Sequence, residues 1–167
     1  MSTEPTSRPL RVVFVCTANI ARSPYAERRL QQLAPTLVEV SSAGVPGVPG
    51  RGMDEEMAAQ LTARGGDPSG HVSRALTREI VDAADLVLTF EFMHHMRVRE
   101  LARGSATPVF GLRQYAEAEA QNSMTLDIAD PHGRGTRAAA RCADEVDRIL
   151  EAIIAGFGGP ESTPDRR

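Results

Sequence analysis

The chain has 167 residues, of which 41% are hydrophobic, and this length is typical of one globular domain that buries its own core. The net charge of −3 argues against a general nucleic-acid binder, and no apolar run approaches the roughly 20 residues that span a bilayer. All 19 basic residues are arginine, which excludes Schiff-base chemistry and any other mechanism that depends on a lysine.

Short apolar runs alternate along the chain with patterns of helical period. In chain order they predict a strand at 10–15, a helix at 23–33, a strand at 36–41, helices at 53–64 and 77–83, a strand at 85–90, a helix at 92–102, a strand at 108–112 and a helix at 136–155. This alternation is typical of βαβ units, and therefore of a parallel sheet that helices cover on both faces. We expect one folded domain over residues 10–156, with disordered tails at 1–9 and 157–167.

The number of cysteines and the N-terminal residues both bear on the cellular compartment of the protein. The two cysteines, Cys16 and Cys142, cannot build a disulfide framework, so we expect reducing surroundings. The opening MSTEPTSRP is polar and contains an acid and proline, unlike a secretory signal. We therefore expect a cytoplasmic protein that binds neither nucleic acid nor membranes.

Cys16 stands where the first predicted strand ends, at the edge of the sheet where parallel folds carry their ligand crevices. Five residues separate it from Arg22, and Ser23 then begins a predicted helix. Such a loop can point successive backbone N–H groups into one concavity at the positive end of the helix dipole, which suits an oxyanion. The same field stabilises a thiolate, while Arg22 offers a planar fork for two phosphate oxygens. The pattern predicts a cysteine nucleophile aimed at a bound phosphate.

A phosphate monoester also needs a proton on its leaving oxygen, and Asp130 is the best candidate for its donor. Asp130 ends a strand-like stretch, and Pro131 stiffens the loop that follows. A carboxyl over the crevice can protonate the leaving oxygen and then deprotonate the water that attacks phosphocysteine. Asp-Pro alone is a common turn, so this interpretation depends on the loop at Cys16.

Three segments together resemble the bacterial type of low-molecular-weight protein tyrosine phosphatase. They are VCTANIARSP at 15–24, SSAG at 41–44 and DPH at 130–132, and the stretches HVSRALT and ADLVLTF also look like the family's middle region. The resemblance covers residues 10–156. It implies a three-layer α/β/α sandwich with a four-stranded parallel sheet in the flavodoxin-like order 2-1-3-4. It also implies that the protein hydrolyses phosphotyrosine in proteins through a phosphocysteine, without a metal or another cofactor.

The resemblance assigns roles to individual residues. It implies that Cys16, Arg22 and Asp130 are catalytic, with Asp130 as the acid and base. It places Val45 and His132 at the substrate rim. The expected phosphate-binding residues are consecutive: Thr17, Ala18, Asn19, Ile20, Ala21, Arg22 and Ser23. The expected partners are a phosphotyrosyl protein or peptide and an oxyanion in the loop, and we expect a monomer or a weak dimer.

Three departures from the family pattern bear on activity. Ala18 replaces a loop glycine, and its Cβ either requires a compatible backbone angle or distorts the anion cradle. Ala21 replaces a second cysteine, so no disulfide can form there, and we expect Cys142 to be a buried core residue. The segment VPGVPGRG after SSAG has no aromatic residue, which predicts weak affinity for a phosphotyrosyl ring or a different substrate.

Several histidines invite a metal-site interpretation that the spacing does not support. His94 and His95 lie with Glu91 near a predicted helix, without a cysteine or second acid at helical spacing, so we expect surface residues. His71 lies in a stretch that resembles a His-x-x-Arg segment of the family, and we expect it to form a structural hydrogen bond.

Three other functions stay open. Arginine-phosphate phosphatases of the same fold carry Thr where this chain has Ile20, so the apolar residue favours the tyrosine interpretation. Thiol-coupled arsenate reductases share the fold and the loop, but they need further cysteines to relay a disulfide. Ala18 and the rim without aromatics would suit a catalytically weakened phosphoprotein-binding module, whereas the joint presence of Cys16 and Asp130 argues for an enzyme.

Overall fold

Four parallel strands form the sheet that positions the site. In the computed structural model, which describes residues 8–116 and 127–157, they are β1 (Leu10–Cys16), β2 (Val38–Gly44), β3 (Leu86–Thr89) and β4 (Val109–Gly111). Their order across the sheet is β2-β1-β3-β4, and each neighbouring pair is parallel. The predicted parallel sheet and its strand order 2-1-3-4 are confirmed.

The described helices cover both faces of this sheet. They are α1 (Arg22–Leu33), α2 (Glu55–Ala63), α3 (Arg78–Ala83), α4 (Phe92–Leu101), α5 (Leu112–Ala116) and α6 (Gly135–Phe157). Val12 and Phe14 of β1 pack with residues of α1, α2 and α6, whereas Val13 and Val15 pack with residues of α3 and α4. Alternate side chains of β1 therefore enter opposite layers, as the pleat requires, and the predicted three-layer sandwich is confirmed. None of these helices combines the length and the apolar character needed to cross a membrane.

The second strand runs three residues beyond its predicted end. Its register pairs all of β1, from Leu10 opposite Val38 to Cys16 opposite Gly44. The predicted strand ends at residue 41, whereas β2 continues through Ser42 to Gly44. In the fold Ser42 is buried, but its hydroxyl is satisfied by hydrogen bonds with Asn19 and Glu27, so the strand continues.

The fourth strand is shorter than predicted. The sequence predicts a strand through residue 112, but β4 ends at Gly111 and the short helix α5 begins at Leu112. A short apolar run is compatible with either element, and here the buried Leu112 packs into the core from a helix.

The tails predicted at 1–9 and 157–167 lie mostly outside the described residues. Arg8 is described, and its guanidinium donates to both carboxylate oxygens of Asp85, at 2.6 and 2.8 Å. Phe157 is the last residue of α6. At these two positions the chain is part of the fold.

Candidate active site

The loop that joins β1 to α1 turns its carbonyl groups outward. Each carbonyl of residues 16–20 accepts a hydrogen bond from a surrounding segment: Cys16 from Val45 N at 2.9 Å, Thr17 from Gly47 N at 2.8 Å, Ala18 from Val48 N at 3.1 Å, Asn19 from His71 Nε2 at 2.7 Å and Ile20 from Asp54 N at 2.7 Å. Because N–H and C=O point in opposite directions across a trans peptide, the N–H groups face the inside of the loop. Within the described residues, none of the backbone N–H groups of 17–21 donates to the protein. The loop therefore has the geometry of an anion cradle at the N-terminus of α1, and we call it the cradle.

Asn19 holds the sharpest bend of this cradle. Its φ of 62° lies in the left-handed region, which asparagine tolerates better than most residues. Its fully buried amide donates to the hydroxyls of Ser23 and Ser42 at 2.9 Å each, and its Oδ1 accepts from Arg74 N at 3.0 Å. Asn19 thus braces the loop through its side chain.

Ala18 fits the cradle without backbone strain. Among the described residues other than glycine, Asn19 alone has a positive φ, so Ala18 has an ordinary backbone conformation. The glycine that the family carries here is therefore not required by the φ angle in this chain. Of the two possibilities raised by the sequence, Ala18 has the compatible backbone angle.

Cys16 is held by a short relay of hydrogen bonds. Cys16 is buried, and its Sγ lies 2.9 Å from the hydroxyl of Ser23. Because Asn19 Nδ2 donates to that hydroxyl, the Ser23 proton is free to point at the sulfur. A hydroxyl that donates to sulfur stabilises the thiolate, which is the reactive form of cysteine.

Arg22 is the first residue of α1 and is 1% exposed. Its Nη1 donates to a carboxylate oxygen of Glu91 and to the carbonyl of Ile128 at 2.7 Å. Its guanidinium carbon lies 6.0 Å from the centre of the Phe90 ring, within the range of a cation–π contact. Its Nη2 lies 3.7 Å from Asp130 Oδ2. One arm of the fork is fixed by Glu91 and Ile128, and the other arm points toward Asp130.

Glu91 and His94 are functional neighbours that sequence reasoning missed. Glu91 caps α4 and accepts the hydrogen bond of the His94 backbone, while the His94 side chain accepts from the Glu91 backbone. His94 is 3% exposed, so the expectation that it is a surface residue was wrong. Glu-x-x-His differs from the usual capping-box signature of Ser or Thr followed three residues later by Glu or Gln, so the sequence pattern does not identify this arrangement.

The hydrogen bonds of His94 define its protonation state. Its Nδ1 accepts from Glu91 N at 3.1 Å, so the ring proton sits on Nε2, which donates to Thr17 Oγ1 at 2.7 Å. Burial, followed by the positive charge of Arg22, lowers the pKa of His94 to about 4. A neutral His94 thus links Thr17 to Glu91, the N-cap residue of α4 that also holds Arg22.

Asp130 lies beside the cradle with its carboxylate half exposed. Its Oδ1 accepts from the backbone N–H of His132 at 3.1 Å, and its Oδ2 faces Arg22. A small cavity of about 60 Å³ is lined by residues 16–18 and 20–22 together with Asp130 and His132. The structure therefore brings Cys16, Arg22 and Asp130 to one cavity.

The two residues predicted at the rim lie in different places. His132 lines the small cavity and a neighbouring one of about 600 Å³ beside the start of α2. Val45 is 9% exposed and lines a separate cavity of about 350 Å³, with Leu76 and Leu101. The structure does not bring Val45 to the small cavity. Its backbone N–H donates to the carbonyl of Cys16, and its side chain packs in the layer of α3 and α4, on the opposite face of the sheet.

The other predicted positions are structural. His71 is buried and donates to the Asn19 carbonyl, which confirms the expected hydrogen bond. Cys142 is buried in the core from α6, as predicted, and burial raises the pKa of its thiol to about 12. Across residues 8–116 and 127–157, no three His, Cys, Asp or Glu side chains are grouped to hold a metal ion.

Gly44, the last residue of β2, touches the cradle from behind. A Cβ at this position would lie 2.7 Å from the Thr17 carbonyl oxygen and 3.0 Å from the Ala18 carbonyl carbon. Contacts this short with backbone atoms force the neighbouring chain to move. The close approach of β2 to the cradle therefore requires glycine at position 44, the last residue of the SSAG segment.

A Gly44→Ala variant is expected to lower kcat/KM toward an aryl phosphate by about tenfold or more, because the added methyl displaces the cradle by a fraction of an ångström. Steady-state kinetics with p-nitrophenyl phosphate measures this loss. The matched control is Gly52→Ala, since a Cβ there meets no atom within 4 Å. Equal activity of the two variants would show that the cradle tolerates a methyl group at Gly44.

Comparison with known proteins agrees with this geometry. The sequence profile of the low molecular weight phosphotyrosine protein phosphatases matches residues 11–158. The protein-arginine-phosphatase of Bacillus subtilis (strain 168) is 30% identical over 145 residues, which cover 85% of this chain and 93% of that protein. The probable low molecular weight protein-tyrosine-phosphatase EpsP of Ralstonia nicotianae is 28% identical over 143 residues, covering 86% and 92%.

Solved structures show the same likeness. The YwlE arginine phosphatase from Geobacillus stearothermophilus superposes with a TM-score of 0.81 at 29% identity, covering 89% of this chain and 93% of that one. The low molecular weight protein tyrosine phosphatase from T. tengcongensis superposes with a TM-score of 0.77 at 28% identity, covering 88% and 99%. With the profile match spanning almost all of the described fold, the chain belongs to the low molecular weight phosphotyrosine protein phosphatase family.

Proposed function

We propose that the protein is a phosphatase that hydrolyses phosphotyrosine in proteins through a phosphocysteine intermediate. The observation that carries this proposal is the single cavity on which Cys16, Arg22 and Asp130 converge, with inward-facing N–H groups on its wall. A site that only bound phosphate would need the cradle and the arginine. It would not need a thiol at the floor of the cavity with a carboxyl at its mouth.

The geometry supports a two-step reaction. In the first step the Cys16 thiolate attacks phosphorus and the bond to the leaving oxygen breaks, while Asp130 gives that oxygen its proton. The cradle and the Nη2 arm of Arg22, which faces Asp130, would bear the charge that spreads over the phosphoryl oxygens. In the second step Asp130 removes a proton from water, whose oxygen attacks phosphorus, and the P–S bond breaks to restore the thiolate beside Ser23.

Ile20 supports tyrosine as the phosphorylated residue. Its side chain is 6% exposed and lines the small cavity next to His132. An apolar wall suits an aromatic ring better than a guanidinium, whose N–H groups need acceptors. Phosphoarginine is the second candidate, because a relative with 30% identity is named a protein-arginine-phosphatase.

The remaining alternatives fit the site less well. An arsenate reductase needs a second thiol to form a disulfide with the nucleophile, and the other cysteine is Cys142, whose raised pKa and burial keep it a protonated thiol. Ala18 was the sequence argument for a catalytically weakened binding module. Because the backbone of Ala18 is unstrained, that argument loses its support. We also propose that the protein is cytoplasmic, because a nucleophilic thiol must stay reduced and the cytoplasm is a reducing compartment.

The test is a comparison of substrates with the full chain. We expect kcat/KM for a phosphotyrosyl peptide to exceed that for phosphoseryl and phosphoarginyl peptides of the same sequence by about a hundredfold. Ile20→Thr is expected to narrow the gap between phosphotyrosine and phosphoarginine, since it places a hydroxyl in the wall. A wild type that prefers phosphoarginine would overturn the tyrosine assignment. Tight phosphate binding without turnover of any substrate would support the binding module.

A further inference from the structure

We propose that Asp54 and His132 form a latch that positions Asp130 as the general acid. The latch is defined as the hydrogen bond between Asp54 Oδ2 and His132 Nδ1, at 2.6 Å. Asp54 is the N-cap residue of α2, and His132 lies two residues beyond Asp130. The inference rests on the proposed function, because it assigns a positioning role in that reaction.

Asp54 ties the latch to the anion cradle. Its backbone N–H donates to the carbonyl of Ile20 at 2.7 Å, so the peptide of Asp54 is fixed to the wall of the small cavity. Its Oδ1 accepts from Met57 N at 3.0 Å, which fixes the side chain rotamer. The second carboxylate oxygen is then left to His132. Asp54 is thus held rigidly by two bonds before the latch is formed.

His132 ties the latch to the acid. Its backbone N–H donates to Asp130 Oδ1 at 3.1 Å, which turns Oδ2 of the same carboxylate toward Arg22. Holding the His132 ring therefore also holds the peptide that orients the acid. The path from the cradle to the acid has three bonds: Ile20 to Asp54, Asp54 to His132, and His132 to Asp130.

Burial favours this path as a restraint. The side chain of Asp54 is 10% exposed, whereas that of His132 is 51% exposed. A largely buried carboxylate is poorly solvated, so it gains more from a donor than a carboxylate in water. The exposed ring of His132 has no comparable packing to hold it. The contact with Asp54 is accordingly what defines its position.

A latch that positions the acid has a specific kinetic signature. Protonation of the leaving oxygen matters most when the leaving group is a poor one, such as the phenolate of phenyl phosphate. It matters little for p-nitrophenyl phosphate, whose leaving group departs without help. Loss of the latch should therefore reduce kcat/KM selectively for poor leaving groups, while a general loss of structure would reduce it for both.

The test uses Asp54→Ser and His132→Ala in the full chain. Serine is a good N-cap, so α2 keeps its cap, but its side chain is too short to reach His132. Each variant is expected to lower kcat/KM for phenyl phosphate by about tenfold and that for p-nitrophenyl phosphate by no more than about twofold. The double variant is expected to be no worse than either single one, because both remove the same contact. Glu55→Gln, which removes a charge from the same helical turn, is expected to leave both values unchanged.

Three outcomes would overturn the latch: equal losses for the two substrates, additive losses in the double variant, or no loss in Asp54→Ser. Amide hydrogen exchange of residues 128–134 provides a readout that needs no turnover, and it should be faster in Asp54→Ser than in the wild type. A wild type that hydrolyses neither phosphate would refute the proposed function alone. In that case unchanged exchange in Asp54→Ser would still refute the latch, and faster exchange would support it.

Discussion

A Cys16→Ser variant is expected to lose turnover of aryl phosphates by at least about ten-thousandfold, while it still binds inorganic phosphate. A serine hydroxyl stays protonated at neutral pH, and the buried His94 ring donates from its proton-bearing nitrogen to Thr17, so it does not activate the serine. The inward-facing N–H groups and Arg22 do not depend on sulfur. Steady-state kinetics and isothermal titration with phosphate measure the two effects separately.

The control for this variant is Cys142→Ser. Cys142 is buried in the core from α6, and its thiol stays protonated because burial raises its pKa to about 12. It is therefore expected to retain wild-type kcat/KM. Turnover that survives in Cys16→Ser, or turnover that disappears in Cys142→Ser, would contradict a mechanism with Cys16 as nucleophile.

An Arg22→Lys variant is expected to lower kcat/KM by about a thousandfold. Arg22 uses Nη1 for Glu91 and the Ile128 carbonyl, and this leaves Nη2 for the substrate. Lysine keeps the positive charge, but its single ammonium group cannot serve the protein and two phosphoryl oxygens in one plane. The measurement is kcat/KM for p-nitrophenyl phosphate together with the dissociation constant of phosphate.

Arg28→Lys is the matched control, because Arg28 lies on the same helix and donates to the carbonyls of Asp67 and Ser69, away from the cradle. Its kcat/KM is expected to stay within about twofold of the wild type. A loss of less than about tenfold in Arg22→Lys would mean that charge alone, without the planar fork, supports the reaction.

The residues of the cradle could be predicted because they are local in sequence. A strand that ends at Cys16, a helix that begins near Ser23 and an asparagine between them describe a loop whose geometry follows from its own dihedral angles. The left-handed Asn19 is an example, since the preference for this region belongs to the residue type. Asp130 was predicted by chemistry, because a phosphate monoester needs an acid for its leaving group.

Glu91 and His94 could not be placed by the same reasoning. They are separated from Cys16 by more than 70 residues, and they reach the cradle only because β3 lies beside β1 in the sheet. The sequence around His94 is compatible with an ordinary surface helix as long as the segments that pack against this helix are unknown. Likewise, Asp54 looks like a helix cap until the fold brings His132 to within 2.6 Å of its carboxylate.

The sequence by itself determined the order of strands and helices and the place of Cys16 at the start of the loop that follows β1. Each of these depends on the period of apolar side chains or on the conformational preference of single residues. Only the tertiary structure decided which groups fix the arginine and the acid. Hydrogen bonds act over about 3 Å, and the partners of Arg22 and Asp130 are brought within that range by the packing of distant segments. The position of Cys16 could be predicted from the sequence, whereas the hydrogen bonds that hold Arg22 and Asp130 could not.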